Sequence, residues 1–578
     1  MFTGIVLPII LFILALSIVV YGLGEYLGWI FREELEVADN FSSGFNYLER
    51  YLEKPLFKPI EKAIYWIGGV DPELSMDWKS YLLSALWLNL LLFLLLYCIF
   101  LFQGNLPLNP TNVAGLDWDL AFHSAASFVS NTNQQHYAGE ANLSYFSQIG
   151  AVVLAMFGSA ATGIGLLVGF ARGLTNDRDP RLGNFYVCFV KSLTRFLLPL
   201  SILLALFLVA QGVPQTFAGS ATITTLEGAT QSIARGPVAV LEAIKMVGTN
   251  GGGFFAANAA HPFENPNPLT NMVLNLSLLA ATISTFYAFG IWMKKRQHGL
   301  VLVGAVSVIV ILLLAVALSG ELGSNPALEG LGIDNSLGNM EGKEVRFGAM
   351  LSGLWAVSTT STTSGSVNSM HDSFTAVGGL ALLLGMSLNS LFAGVGTGVM
   401  NLLTYVFLAS FIGALMIGRA PGYLGKKLEA AEIKLSAIII LLLPTLVLFP
   451  TGFAVITQMG KKAITNPGFH GFSQVIYEFF SAATNNGSGF EGLTDDTVFY
   501  NLSCGIIILL ARYLPLTLQL MIAGSLSLKK VRPETEGTLK VENLPFLIVL
   551  VAIIIVIGGL VFIPSLAIGP IAELLSSW

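Results

Sequence analysis

Apolar residues arrive in long unbroken runs parted by polar stretches, a pattern that neither an amphipathic helix nor an alternating strand produces. About 20 largely apolar residues carry a helix across a bilayer. Ten runs are long enough: 4–30, 80–102, 145–170, 186–211, 269–293, 299–318, 391–418, 435–456, 501–525 and 545–568. Inside lipid each backbone polar group must find its partner within the segment, so the runs predict helices. A membrane barrel would instead alternate in segments of about ten residues. The first run, behind Met1-Phe2-Thr3-Gly4, lacks a basic flank and a convincing cleavage site, so it reads as a span and not a leader.

Composition agrees. Of 578 residues 54% are hydrophobic and only 11% charged, with a mean hydropathy of +0.73, where a soluble protein carries about a quarter charged. A soluble enzyme is excluded. Net charge is −6, and no basic tract is long enough to bind nucleic acid. Cys98, Cys188 and Cys504 lie far apart in apolar stretches and make neither a disulfide framework nor a zinc site. Lys and Arg are strongly partitioned: 31–79, 171–195, 294–298, 419–434 and 526–543 hold 22 of the 29. These segments should be cytoplasmic, which puts both termini outside. The segments near 103–144, 212–268, 319–390 and 457–500 then open outward.

Those four outer segments share one design. Each holds a short apolar stretch followed by a polar run: Ser130-Asn131-Thr132-Asn133, Gly248-Thr249-Asn250-Gly251-Gly252-Gly253, Thr362-Thr363-Ser364-Gly365-Ser366 and Thr484-Asn485-Asn486-Gly487-Ser488. Aligning Asn131, Gly251, Gly365 and Gly487 gives steps of 120, 114 and 122 residues. The second and fourth runs match at four of five positions from Asn250 and Asn486, and each has a glutamate nine residues upstream of the aligned glycine, Glu242 and Glu478. Such internal repetition decides architecture. The prediction is an all-helical, ten-span protein with four pseudo-symmetric helix–pore loop–helix repeats around a central pore, and one extra helix at each end. The divisions are an N-terminal span with a cytoplasmic amphipathic segment (1–79), repeats at 80–170, 186–293, 299–418 and 435–525, and a loop with the last span (526–578).

A short helix that enters from outside and stops halfway points its partly negative C-terminal end at the membrane centre, where a cation is favoured. The helices predicted are 117–129, 237–247, 348–360 and 473–483, with Pro237 placed for a helix start. Gly, Asn and Thr tolerate the irregular backbone that turns carbonyls inward. Four such loops around one axis replace a cation's hydration shell. Being uncharged, they suit a dehydrated monovalent ion.

Longer motifs point to a family. Gly248 to Phe255, Ala260-His261-Pro262-Phe263-Glu264-Asn265-Pro266, Asn131 to Gln135, Gly365 to Phe374 and Ile417 to Lys427 resemble the potassium-binding A subunits of the Kdp potassium-transporting P-type ATPases, end to end. The resemblance implies a channel-like subunit in a bacterial inner membrane. It would partner a catalytic P-type ATPase subunit, a single-span C subunit and a small F subunit. K+ would enter from outside, be selected at the loops and pass sideways to the ATPase subunit. The filter residues implied are Ser130, Asn131, Thr132, Thr249, Asn250, Gly251, Thr363, Ser364, Gly365, Asn485, Asn486 and Gly487, holding K+ as cargo with no other cofactor. Gln135 would line the path beyond them. The chain itself has no Asp-Lys-Thr-Gly loop and no GxxxxGK[ST], and no cytoplasmic segment large enough for a nucleotide-binding domain.

Arg512 lies inside an apolar span, where a lone cation is costly and functional, and is read as a barrier or repulsive gate. Arg419 ends a span, as an anchor or a path residue. Residues 374–390 are apolar and are followed by the Gly-dense stretch Phe392 to Gly398, so a helix interrupted there is read as a cytoplasmic-side gate, with close helix packing as the alternative. His123, His136, His261, His371 and His470 have no ligand spacing and are read as loop caps, with His371-Asp372 bracing the third loop. Segment 34–63 reads as an amphipathic surface helix or a docking face. A standalone K+ channel or symporter is the first competing reading. A membrane enzyme, which would need convergent His, Asp or Glu groups, is the second.

Overall fold

The computed structural model describes residues 7–37, 41, 43–323, 332, 336–416, 418, 421–533 and 540–576. Ten described helices are long and apolar enough to cross a membrane: Leu7–Ile30, Trp78–Asn105, Tyr145–Thr175, Phe185–Ala210, Pro268–Trp292, Arg296–Glu321, Thr397–Met416, Ala430–Ile456, Val498–Ser527 and Leu544–Ser576. Their starts follow local chemistry. Asp77, Thr497 and Asn543 accept the backbone N–H of Ser80, Tyr500 and Phe546. Asn267 and Thr270 form a reciprocal cap ahead of Pro268, satisfying N–H groups that a helix start otherwise leaves unpaired.

The seventh span begins later than the predicted run of 391–418, at Thr397–Met416, and the apolar helix Ala376–Leu388 before it ends in a non-helical stretch that takes in part of the Gly-dense segment Phe392 to Gly398. At about 1.5 Å per residue the first piece reaches only about 20 Å, too short to cross alone. Asn389, Gly394 and Gly396 all take positive φ (35°, 73° and 83°), which ends the first helix and delays the second. The stretch placed among the outer segments up to residue 390 therefore includes a buried helix, packed on Arg296–Glu321. The all-helical expectation also needs a small correction. Two antiparallel hairpins occur, Ala221–Thr224 with Thr230–Ile233 and Gly422–Tyr423 with Lys426–Lys427.

The basic segments meet at one end of the bundle. Arg172 Nη1 donates to the Glu34 carbonyl at 2.5 Å, His298 bridges Tyr423 Oη (2.7 Å) and the Val541 carbonyl (3.1 Å), and Lys529 pairs with Glu432 at 2.8 Å. Lys426 Nζ donates to the carbonyls of Gly173, Asn176 and Leu526. A cation at a helix C-terminus complements its dipole; here one ammonium serves the ends of two. Segment 43–68 docks onto this end through Arg195, which holds Glu61 at 2.6 Å and Glu53 at 3.1 Å, while Tyr47, Tyr51, Trp66 and Ile67 stay exposed.

At the opposite end the last helix is tied down by His470, which contacts Asp372 Oδ1 at 2.9 Å and Glu573 Oε1 at 3.0 Å. Burial pulls the His470 pKa down, but the two carboxylates outweigh it and push it up to about 10 from 6.5. A pKa raised on folding contributes stability below the unfolded value and loses it as pH rises through the folded one. The stability advantage of the native chain over His470→Gln should therefore be full below about pH 6.5 and fade as pH approaches about 10. Thermal unfolding of the two proteins across that range checks it; a gap that widens with pH would refute the assignment.

Candidate functional site

Between successive spans lie four short helices, Trp118–Val129, Val238–Val247, Gly348–Thr362 and Phe469–Thr484. Each ends in a polar loop that contains two left-handed residues. Asn131, Thr249, Thr363 and Asn485 have φ of 72°, 51°, 48° and 55°, and a second left-handed residue follows at Asn133, Gly252, Gly365 or Gly487. Positive φ is uncommon outside glycine. Alternating its sign turns successive peptide groups to one side of the chain, making a concave polar surface.

One bond recurs at every helix end and sets the register. The N–H of Thr132, Asn250, Ser364 and Asn486 donates to the carbonyl five residues back, at Ser127 (3.1 Å), Lys245 (2.8 Å), Thr359 (3.1 Å) and Ser481 (2.9 Å). The residues that follow, Asn133, Gly251, Gly365 and Gly487, are thus equivalent. Asn131, aligned with the glycines from sequence, stands two residues earlier, beside Thr249, Thr363 and Asn485. Asn133 was passed over because its side chain hides the glycine pattern; counting from the helix end would have found it.

The four loops close a circuit. Asn131 Nδ2 donates to the carbonyls of Gly248 (3.2 Å) and Thr249 (3.1 Å), and Asn250 Nδ2 returns to Asn131 Oδ1 at 2.8 Å and Asn133 Oδ1 at 3.2 Å. Ser364 Oγ donates to the Asn250 carbonyl at 2.7 Å. Asn486 Nδ2 donates to the Thr359 carbonyl at 3.0 Å, and Asn485 Nδ2 to Thr132 Oγ1 at 2.9 Å, joining the fourth loop to the first. Ser130 Oγ sits 2.7 Å from Thr132 Oγ1. A methyl on Gly251 would lie 2.7 Å from the Thr132 carbonyl oxygen and 2.8 Å from that of Ser364; one on Gly365 would lie 2.5 Å from that of Asn486; one on Gly487 would strike that of Thr132. Backbone oxygens of three loops therefore stand so close to these glycines that no side chain fits between the loops. Gln135 does not enter it: Nε2 and Oε1 clasp the Gly253 carbonyl (3.1 Å) and N–H (2.9 Å) from the side.

Beneath the loops lies a cavity roofed by Asn131, Thr363 and Asn485 and walled by Thr397, Asn401, Arg512 and Gln519. Arg512 donates to Thr397 Oγ1 at 3.4 Å and to the Ser159 carbonyl at 3.3 Å, and no carboxylate pairs with it among the described residues. Sequence reasoning missed Ser159, whose Oγ reaches Asn131 Oδ1 at 2.8 Å. The helix break lies against the same loops: Gly394 N–H donates to the Thr362 carbonyl (2.7 Å) and Val395 N–H to Thr249 Oγ1 (2.9 Å). Arg419 lies outside the described residues.

Behind the loops, buried charges brace the outer segments. Lys245 pairs with Glu242 and, at 2.8 Å, with Glu264, whose Oε1 holds the Phe255 N–H at 2.9 Å. Lys343 pairs with Glu321 at 2.6 Å. Glu478 meets Gln134 Nε2 at 2.6 Å and His136 Nε2 at 3.0 Å. His371 Nδ1 lies 2.8 Å from Tyr477 Oη, and Asp372 accepts from Gln474 and His470, so this pair ties the third segment to the fourth short helix.

Four interlocked uncharged loops, a cavity lined by a cationic group and ten apolar helices define a polytopic membrane protein of the transporter class. The family model described as the potassium-transporting ATPase A subunit matches residues 10–575, and the chain belongs to that family. It is 49% identical to the potassium-transporting ATPase potassium-binding subunit of Halobacterium salinarum, over 98% of this chain and 97% of that one. To the subunit of the same name from Anabaena sp. it is 45% identical over 95% of each. The crystal structure of the potassium transporter TrkH from Vibrio parahaemolyticus shares the fold, with a TM-score of 0.53 at 14% identity, covering 77% of this chain and 85% of that one. These relatives are named for the potassium-binding subunit, and the chain is a non-catalytic member of the ATPase complex.

Removing one partner of a buried ion pair leaves the other charge uncompensated, at a cost of about 3–5 kcal/mol. Lys343→Met should therefore destabilise the protein by that order, and Glu321→Gln/Lys343→Met should recover part of it. Thermal unfolding of the single and double variants measures this; additive losses would show that the pair is not coupled.

Proposed function

We propose that the chain selects K+ at its four loops and hands it to a partner ATPase subunit, acting as four pseudo-symmetric units around one path. The observation that carries this is the closed circuit of uncharged loops, with the carbonyls of Thr132, Ser364 and Asn486 crowding the space beside Gly251, Gly365 and Gly487. Oxygens held by neighbouring loops cannot relax inward, so an ion that fills the space takes the place of water at little reorganisation cost. The C-terminal ends of the four short helices add negative potential at the same point.

Below the ring the electrostatics reverse. Arg512 and the N-terminal end of the helix starting at Thr397 both present positive charge to the cavity. A cation leaving the loops is repelled from that wall, while Asn401 and Gln519, bonded to each other at 2.9 Å, offer a neutral wall. This asymmetry supports sideways delivery over a straight exit. The partners would be a catalytic P-type ATPase subunit, a single-span C subunit and a small F subunit in a bacterial inner membrane. The basic end would face the cytoplasm and both termini the outside. A channel or symporter acting alone is not favoured, because relatives named as an ATPase subunit match the chain over nearly its full length.

Gly251→Ala should weaken the apparent K+ affinity of ATP hydrolysis by the assembled complex. Overpacking against two fixed backbone oxygens costs about 1–3 kcal/mol, or roughly 5- to 150-fold. Unchanged K+ dependence would remove Gly251 from the ion site. Arg512→Ala should leave K+ affinity near native while lowering K+ moved per ATP hydrolysed, read in proteoliposomes; native coupling would reduce Arg512 to a packing role.

A further inference from the structure

The fold gathers three metal-type donors, with a further carboxylate beside one of them, at a place the ion path does not use. His136 follows the first loop, Glu478 lies on the fourth short helix, and Cys504 lies one turn and a half into the ninth span. All three are buried, and their Nε2, carboxylate oxygen and Sγ lie within 4.8 Å of one another. Glu478 Oε1 is 3.0 Å from His136 Nε2 and 3.6 Å from Cys504 Sγ. Asp495 Oδ2 stands 3.8 Å from the same His136 nitrogen, on the side that opens to the surface. With ligand distances of about 2.0–2.1 Å for N and O and about 2.3 Å for S, a tetrahedral zinc site has donor–donor edges of about 3.3–3.6 Å. The separations of Glu478 Oε1 from His136 Nε2 and from Cys504 Sγ are within a few tenths of an ångström of that figure.

The orientation of the imidazole is the second observation. Asn501 Oδ1 lies 2.7 Å from His136 Nδ1, and Asn501 Nδ2 is itself fixed by Asp119 (3.0 Å) and Asp496 (3.1 Å). The Asn501 oxygen can only accept, so Nδ1 carries the proton and Nε2 faces the carboxylates. That outer bond is the one that orients histidine ligands in zinc sites. His123 stacks on the same ring at 3.7 Å and limits its rotation.

We propose that His136, Glu478 and Cys504 form a three-ligand site for a zinc-type divalent ion, separate from the K+ path, with Asp495 standing beside the open fourth position. A nitrogen, a thiolate and a carboxylate oxygen select Zn2+ or its analogues over Mg2+ and Ca2+, which want oxygen alone. On binding, the Cys504 thiol and the His136 Nε2–H each give up a proton to solvent, and His136 coordinates through Nε2 as the neutral ring. The ion would join the segment after the first loop to the fourth short helix and the ninth span, cross-linking the supports of two loops. Glu478 also accepts from Gln134, whose carbonyl accepts from Ser127 Oγ at the first helix end, so occupancy should reach the ring.

The assembled complex, with Cys98→Ser to remove the exposed thiol, is stripped with a chelator and titrated with Co2+. One equivalent per chain should bind with thiolate-to-cobalt charge-transfer absorption, and Zn2+ should displace it. Cys504→Ser should abolish the absorption and weaken binding by roughly tenfold or more; Glu478→Gln should weaken it similarly, and Cys188→Ser should change neither. Absence of saturable Co2+ binding in the parent complex, or absorption that survives Cys504→Ser, overturns the site. Because the readout is optical, it is independent of whether the four loops select K+.

Discussion

Backbone that is neither helix nor strand cannot sit at membrane depth unless each of its polar groups is answered by protein or by a wet cavity. The four loops meet that demand by answering one another. The Asn131 carboxamide donates to two carbonyls of the second loop while its oxygen takes the Asn250 amide, and the circuit returns through Ser364, Asn486 and Asn485. Left-handed residues such as Thr249 and Thr363 are strained in isolation; here neighbouring loops hold them. Each loop is thus held in its irregular conformation by side chains and backbone of its neighbours, so the four stand or fall together.

Much of this was legible in the chain. The apolar runs marked the spans because length alone decides a crossing, and the short helices fell close to their expected bounds because a brief apolar stretch before Asn, Thr and Gly has few alternatives. The first loop was misregistered for a physical reason: asparagine can adopt the left-handed backbone that glycine marks elsewhere, so Asn133 carried the geometry without the signature. The break ahead of the seventh span is legible as an apolar stretch at 374–390 followed by dense glycine, but where the next helix resumes is not, since Gly394 and Gly396 delay it through positive φ that composition does not show.

What could not be read was whatever depends on distant residues meeting. His136 and Glu478 are 342 positions apart, and neither carries ligand spacing in the sequence. Lys343 and Glu321 lie in an outer segment whose polarity suggested solvent, yet both side chains are buried. Pairing of this kind is set by the packing of whole helices, and periodicity carries no trace of it. The Arg512 partners, a hydroxyl and a main-chain oxygen from two other helices, are equally silent in one dimension.

The ammonium of Lys426 has a mechanical corollary. By holding the carbonyl ends of Tyr145–Thr175 and Val498–Ser527 together, it acts as a rivet between those helices. It stands on the hairpin that follows Thr397–Met416 in the chain, so one buried charge resists the spreading of two helices and moors the segment that comes after a third.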